Sequence, residues 1–141
     1  MALLLEDHVH RGVALRWWET TWFEAIAFSR FTQVSVLRLL TTAAVMNDRP
    51  LTMARAWSAY DRLFEDDRVA LFPEPAGLDI AFREHASSRL ASPQMWADAY
   101  LMAFARGHGG VLVSFDRALA KRSPNSILLG GPKGADETAP R

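Results

Sequence analysis

The chain has 141 residues, half of them hydrophobic, with 16 basic residues, 16 acidic residues and no cysteine. This length suits one compact domain with its own core, and the lack of cysteine excludes disulfides and thiolate metal sites. The balanced charge gives the molecule as a whole no electrostatic reason to bind nucleic acid. No apolar run approaches the roughly 18 residues of a membrane span, and no signal peptide is visible, so we expect a cytoplasmic protein without membrane contact.

In the first half of the chain, helices are predicted to alternate with short apolar strands. Asp7 is expected to cap a helix over the stretch HVHRGVALRWWE, and residues 25–28 (AIAF) suit a buried strand. Thr32 is expected to open a second helix, because apolar residues recur after it at helical spacing. Thr52 is expected to cap a third helix, and residues 69–72 (VALF) predict the next strand.

The second half repeats this alternation. Helices are predicted over LDIAFREHASSRL and over residues 96–106, followed by the turn GHGG, the strand VLVSF, a short helix from Asp116 and a strand at residues 126–129. Short apolar strands separated by helices are typical of a parallel sheet covered on both faces, which is the α/β class. We expect one domain over residues 1–129 and a disordered tail over residues 130–141.

The stretch WADAYLMAFARGHGGVLVSFD carries one aspartate near each end, Asp98 and Asp116. A helix of about eight residues descends roughly 12 Å, and the strand that follows climbs back roughly 13 Å. Asp98 in the first turn of the helix and Asp116 at the carboxyl end of the strand are therefore expected at the same edge of the sheet. Open α/β sheets bind their ligands at that edge.

Two carboxylates that lie close together repel each other, and a hard divalent cation bound through oxygen relieves that repulsion. Mg²⁺ suits one or two carboxylates together with water and a phosphate. The alternative is structural, with Asp98 complementing the dipole of its helix and Asp116 capping the helix that follows. Spacing alone leaves both interpretations open.

Basic residues are concentrated near Asp116. Arg117, Lys121 and Arg122 follow it closely, and Asp116 is the single acid between Arg106 and Lys133. These three cations are the candidates for binding an RNA backbone, and the alternative is a solvated helix face.

The stretch DAYLMAFARGHGGVLVSFDRAL resembles the C-terminal motif of PIN-domain ribonucleases, in particular the toxins of VapBC toxin–antitoxin modules. FTQVSVLRLLT resembles the second helix of the same family. The resemblance implies a three-layer α/β/α fold with a short, mainly parallel sheet. It also implies an endoribonuclease toxin that cleaves structured RNA, with Asp98 and Asp116 as catalytic metal ligands for Mg²⁺, or Mn²⁺ as a substitute. A VapB-like antitoxin and a second copy of the chain are the implied protein partners.

The resemblance breaks at two places. Family members open with a buried strand that ends in an aspartate, whereas MALLLEDHVH resembles the part that follows. Either Met1 is an internal methionine taken for the start, or the chain has lost this central strand and its acid. Many members also carry a glutamate where this chain has Ser35, a loss that does not by itself exclude activity, and Gln33 or Glu24 is the candidate to lend an oxygen instead. The alternatives to an active ribonuclease are a degenerate domain that only binds a protein partner, and an inactive truncated fragment.

Two further groups attract attention. His8 and His10 are two residues apart, and on a helix they point in different directions, which disfavours a shared metal ion. Trp17, Trp18 and Trp22 are expected to pack in the core, or else to line a surface for a second copy or an antitoxin.

Overall fold

The computed structural model describes residues 1–89 and 91–130, and the chain forms two compact units, Met1–Pro73 and Glu74–Arg141. The predicted tail over residues 130–141 lies outside the described residues, apart from Gly130. Within the described ranges, no helix is long and apolar enough to cross a membrane.

The first unit contains three helices, a 3₁₀ turn and two short strands. In chain order these are α1 (Arg11–Thr20), β1 (Ile26–Phe28), α2 (Arg30–Leu40), α3 (Met53–Asp61), the 3₁₀ turn (Arg62–Glu65) and β2 (Val69–Leu71). The two strands pair in parallel, with Ile26 opposite Val69 and Phe28 opposite Leu71. Both predicted strands of this half are therefore confirmed.

The helix starts of the first unit differ from prediction at two places. Thr52 caps α3 as expected, with its hydroxyl accepting from the Arg55 backbone N–H at 3.3 Å. Asp7 caps no helix, because backbone-bonded turns continue past it and α1 starts only after His10. The N-cap of α2 is Ser29, whose Oγ accepts from the N–H of Thr32 at 3.0 Å, so α2 starts earlier than predicted.

The core of the first unit lies between α2, α3 and the 3₁₀ turn. Its buried residues are Val36, Leu40, Ala56, Ala59, Tyr60 and Leu63. The rings of Phe28 and Phe64 pack on Tyr60 at centroid distances of 6.3 and 5.1 Å. This aromatic contact attaches β1 to the helices of its own unit.

The described part of the second unit begins with two packed helices, which are followed by a parallel strand pair. Its elements are α4 (Leu78–Ala86), α5 (Gln94–Gly107), β3 (Leu112–Ser114), α6 (Arg117–Arg122) and β4 (Ser126–Leu128). Leu112 lies opposite Ser126, and Ser114 opposite Leu128. The parallel strand pairs, with helices between their strands, confirm the predicted α/β class.

Helices α4 and α5 are held together largely by aromatic side chains. The ring of Phe82 on α4 contacts the rings of Trp96 and Tyr100 on α5 at centroid distances of 6.2 and 6.1 Å. Ala99, Met102, Ala103 and Phe104 are the buried residues of α5. This packing fixes the helix on which Asp98 stands.

Candidate metal and RNA site

Asp98 is the fifth residue of α5, and its side chain is only 17% exposed. Because α5 begins at Gln94, two residues before the predicted start, Asp98 lies beyond the first turn. The helix dipole acts mainly within the first turn, so the alternative role of Asp98 as a dipole partner is disfavoured. Ala99 beside it is fully buried, which anchors this turn of the helix against the core.

Asp116 stands between β3 and α6, at the N-cap of α6. Its Oδ1 accepts from the backbone N–H groups of Ala118 at 2.7 Å and Leu119 at 3.1 Å. Its own N–H donates to the Ser114 Oγ at 3.0 Å. The structural alternative for Asp116 is thus realised, but it uses a single carboxylate oxygen. Within the described part of the chain, no hydrogen bond engages Oδ2.

Arg122, the last residue of α6, forms an ion pair with Asp98. Its Nη2 donates to Asp98 Oδ2, and its Nε donates to the backbone carbonyl of Ala118 at 3.4 Å. The arginine side chain therefore runs back along α6 toward the Asp116 end, as helical side chains tend to do.

A short hydrogen-bonded path joins the two aspartates. The peptide group between Ala118 and Leu119 donates its N–H to Asp116 Oδ1 and accepts from Arg122 Nε at its carbonyl. The guanidinium of Arg122 continues the path to Asp98 Oδ2. Asp98 and Asp116 are therefore linked through one peptide group and one side chain.

The carboxylates of Asp98 and Asp116 fit a hard divalent cation that takes only a few of its ligands from the protein. Two carboxylates can hold Mg²⁺ when water and a phosphate complete its shell. Asp98 already bears a cationic group, the Arg122 guanidinium, where a metal would approach it. Among the residues that the structure describes, no group of three or more His, Cys, Asp or Glu side chains converges as a metal site. Asp98 and Asp116 would therefore be the protein ligands of the cation, without a third acid from the described residues.

Comparison with known proteins assigns the chain to a family. The family model of the PIN domain matches residues 1–123. The chain belongs to the PIN-domain family. It is a VapC-type member, since it is 40% identical over 126 residues to Ribonuclease VapC41 of Mycobacterium tuberculosis, in strain CDC 1551 / Oshkosh and in strain ATCC 25618 / H37Rv. Each match covers 86% of this chain and 86% of the relative.

Two other cations stand on α6 of this PIN-domain protein. Arg117 and Lys121 are exposed, and within the described residues neither forms an ion pair. Arg106, by contrast, pairs with Glu84 at 2.9 Å. The three predicted RNA-binding cations thus differ in ion pairing. Arg117 and Lys121 face solvent, whereas the charge of Arg122 is matched by Asp98.

The substitute ligands proposed for the departure at Ser35 lie in Met1–Pro73. Gln33 is buried, and its Oε1 accepts from the guanidinium of Arg30. The side chain of Gln33 also approaches Tyr60, where burial raises the pKa of the phenol and this contact opposes the rise. Glu24 is exposed. Gln33 therefore has a structural role within its own unit.

The histidine and tryptophan clusters divide between structural and surface roles. His8 Nδ1 accepts from the His10 backbone N–H at 3.1 Å, and burial lowers the pKa of His8. Trp18 packs against the core, whereas Trp22 is 67% exposed. The core interpretation holds for Trp18, whereas Trp22 lies at the surface.

The pairing of Arg122 with Asp98 was not anticipated from the sequence, which suggested Arg122 only as an RNA ligand. The available signal was its position six residues after the capping Asp116. An arginine there stands at the end of a short helix whose side chains point back toward the cap. The acid that it meets comes from another element, so only the packing of α6 near α5 reveals the contact.

Proposed function

We propose that this protein is the toxin of a VapBC-type module, a metal-dependent endoribonuclease that cleaves structured RNA. The observation that carries the proposal is the path from Asp98 through Arg122 and the Ala118 carbonyl to Asp116. It supports the assignment of two acids, far apart in sequence, to one site. Membership of the PIN-domain family and 40% identity to a protein named as a ribonuclease support the reaction class.

Asp98 and Asp116 would hold Mg²⁺, with Mn²⁺ as a substitute. When bound, the ion activates water for in-line attack on a phosphodiester and neutralises the charge that develops on the phosphate. Asp116 is oriented by the N–H groups of Ala118 and Leu119, which leave its Oδ2 for the metal. Asp98 is held on a packed helix, so neither ligand has to be ordered when the ion arrives.

The cations of α6 would hold the RNA backbone beside these acids. Arg117 and Lys121 are exposed and can reach phosphates without first leaving another partner. Phosphate contacts of this kind position the nucleic acid and carry no sequence information. The choice of RNA would then depend on its shape.

The protein partner would be a VapB-like antitoxin, and the toxin would form a homodimer. Trp22, which is 67% exposed, supplies an aromatic anchor of the type enriched at protein interfaces. The VapC-type relatives support the antitoxin pairing.

The site assignment is tested by Asp98→Asn and Asp116→Asn, each assayed for Mg²⁺-dependent cleavage of a labelled hairpin RNA. Each change removes a charged ligand, so we expect cleavage to fall by about 100-fold or more. Asp79→Asn is the matched control, since Asp79 is an exposed acid of α4 paired with Arg83 at 2.8 Å. Its cleavage rate should stay near that of the wild type.

Unchanged cleavage in either site variant would show that the acid is not a ligand. A wild-type protein that binds its antitoxin and yet cleaves no RNA at any Mg²⁺ or Mn²⁺ concentration would favour the binding-only alternative.

A further inference from the structure

We propose that Arg122 is an internal counter-ion of Asp98 that leaves this carboxylate when a divalent cation binds, and so sets the metal affinity of the site. The inference rests on the proposed function, because it takes Asp98 and Asp116 as the metal ligands. It assigns to Arg122 a positioning role that its place among the RNA-binding candidates did not suggest.

The burial of the pair favours this role over that of a surface ion pair. The side chains of Asp98 and Arg122 are 17% and 34% exposed, so solvent screens their attraction only in part. A partly buried carboxylate without a counter-ion is costly. Arg122 would therefore supply that counter-ion and hold the Asp98 side chain in place before any metal is present.

The two cations compete for one oxygen. Arg122 Nη2 donates to Asp98 Oδ2. A divalent cation held by Asp98 would be repelled by a guanidinium bonded to the same carboxylate, so the arginine would have to move before the site is filled. Its second contact, from Nε to the Ala118 carbonyl at 3.4 Å, is long and weak, which leaves the side chain able to turn outward.

The freed guanidinium would remain on α6 with Arg117 and Lys121. Arginine binds phosphate through a planar fork of N–H donors. The same residue could thus balance Asp98 before metal binds and contact RNA in the loaded site.

The test is a Mn²⁺ titration in the absence of RNA, with free Mn²⁺ followed by electron paramagnetic resonance. Removing a competing cation should tighten binding, so we expect Arg122→Gln to lower the Mn²⁺ Kd by about tenfold. Arg122→Lys keeps the charge and should stay within about threefold of the wild type. Arg106→Gln is the matched control, with the same charge change on the helix that carries Asp98 and an exposed pair with Glu84, and should shift the Kd less than about twofold.

The direction in which Arg122→Gln changes the Mn²⁺ Kd distinguishes competition with the metal from a merely structural role. If Arg122 only supports the fold, its removal loosens the site, and Mn²⁺ binding becomes weaker or stays the same, which would overturn the inference. If Arg122→Gln fails to fold, the same question is answered with the wild type, by following the NMR signal of the Arg122 Nε–H during a Mg²⁺ titration. We expect that signal to shift as the metal binds, and an unmoved signal at metal saturation contradicts the displacement.

Failure of the proposed function has a different signature. If the wild type binds no Mn²⁺ at millimolar concentration, or binds it equally well as Asp98→Asn, the metal site itself is wrong and the inference falls with it. If binding depends on Asp98 and ignores Arg122, only the role of Arg122 is refuted.

Discussion

Asp66 and Arg68 show how single residues tie the first unit together. The two side chains form a fork of hydrogen bonds, with Arg68 Nε 2.9 Å from Asp66 Oδ1 and Nη2 2.6 Å from Oδ2. The same guanidinium donates to the carbonyls of Trp18 and Thr21 at 3.0 and 3.1 Å. Arg68 therefore joins the C-terminal end of α1 to the segment that enters β2.

This contact predicts an acid-sensitive contribution to stability. Hydrogen bonds from the side chain and backbone of Arg68 lower the pKa of Asp66 from 3.8 to about 2. A carboxyl whose pKa is depressed by folding stabilises the protein above its unfolded pKa, and this stabilisation is lost as the pH falls from near 3.8 toward 2. We expect Asp66→Asn to lower the free energy of unfolding at pH 6 and to match the wild type near pH 2.

Urea unfolding measured at several pH values checks this expectation. Asp67→Asn is the control, because Asp67 is the exposed neighbouring acid and forms no ion pair within the described residues. A wild-type advantage over Asp66→Asn that persists unchanged down to pH 2 would contradict the ionic origin of the effect.

The candidate site could be predicted from the sequence only in part. Asp98 and Asp116 follow from the length of a helix and the strand after it, since both distances come from fixed backbone geometry. Arg122 could be assigned to a charged surface but not to Asp98, because a long flexible side chain has many equally good positions until neighbouring elements are placed. Whether a surface cation pairs with an acid depends on how the elements pack, and the local sequence spacing does not determine that packing.

At the scale of elements, two helical glycines predict opposite effects of the same substitution. A Cβ on Gly107, at the end of α5, would lie 2.4 Å from the Pro75 Cγ, whereas a Cβ on Gly12 in α1 would have no atom within 4 Å. Overpacking should therefore cost Gly107→Ala about 1–3 kcal/mol of the free energy of unfolding. Gly12→Ala restricts the unfolded chain without a clash and should stabilise by about 0.5 kcal/mol.

Thermal and urea unfolding of the two variants measure this difference in sign. A neutral or stabilising Gly107→Ala would show that the Pro75 loop moves away freely, and that α5 is not closely packed at its end. The Gly12 variant serves as the internal reference for the ordinary effect of alanine in a helix.

The positions of the elements were more predictable than their ends. The four short strands of the described residues follow from apolar runs between breakers, and Thr52 caps α3 through the expected hydroxyl contact. The start of α2 was misplaced because Ser29 and Thr32 form one capping arrangement, in which Ser29 is the cap and Thr32 donates its N–H to it. Either residue type can cap a helix, so composition alone does not decide between them.

At the scale of the whole molecule, charge is balanced overall and uneven locally. The chain has 16 basic and 16 acidic residues, so its affinity for RNA has to come from a local group of cations. On α6, Arg117 and Lys121 are exposed, and the charge of Arg122 is matched by Asp98. Two exposed cations that form no ion pair within the described residues are then expected to act on RNA when metal is absent.

This count predicts a shallow salt dependence of RNA binding, measured by fluorescence anisotropy with EDTA present. Each phosphate contact contributes about 0.7 to 0.9 to the slope of log affinity against log salt, so two contacts give a slope of about −1.4 to −1.8. Arg117→Gln and Lys121→Gln should each remove about one contact's share of that slope. Arg55→Gln, an exposed arginine of α3, should leave it unchanged. A much steeper slope, or one that ignores both α6 variants, would place the RNA on another surface.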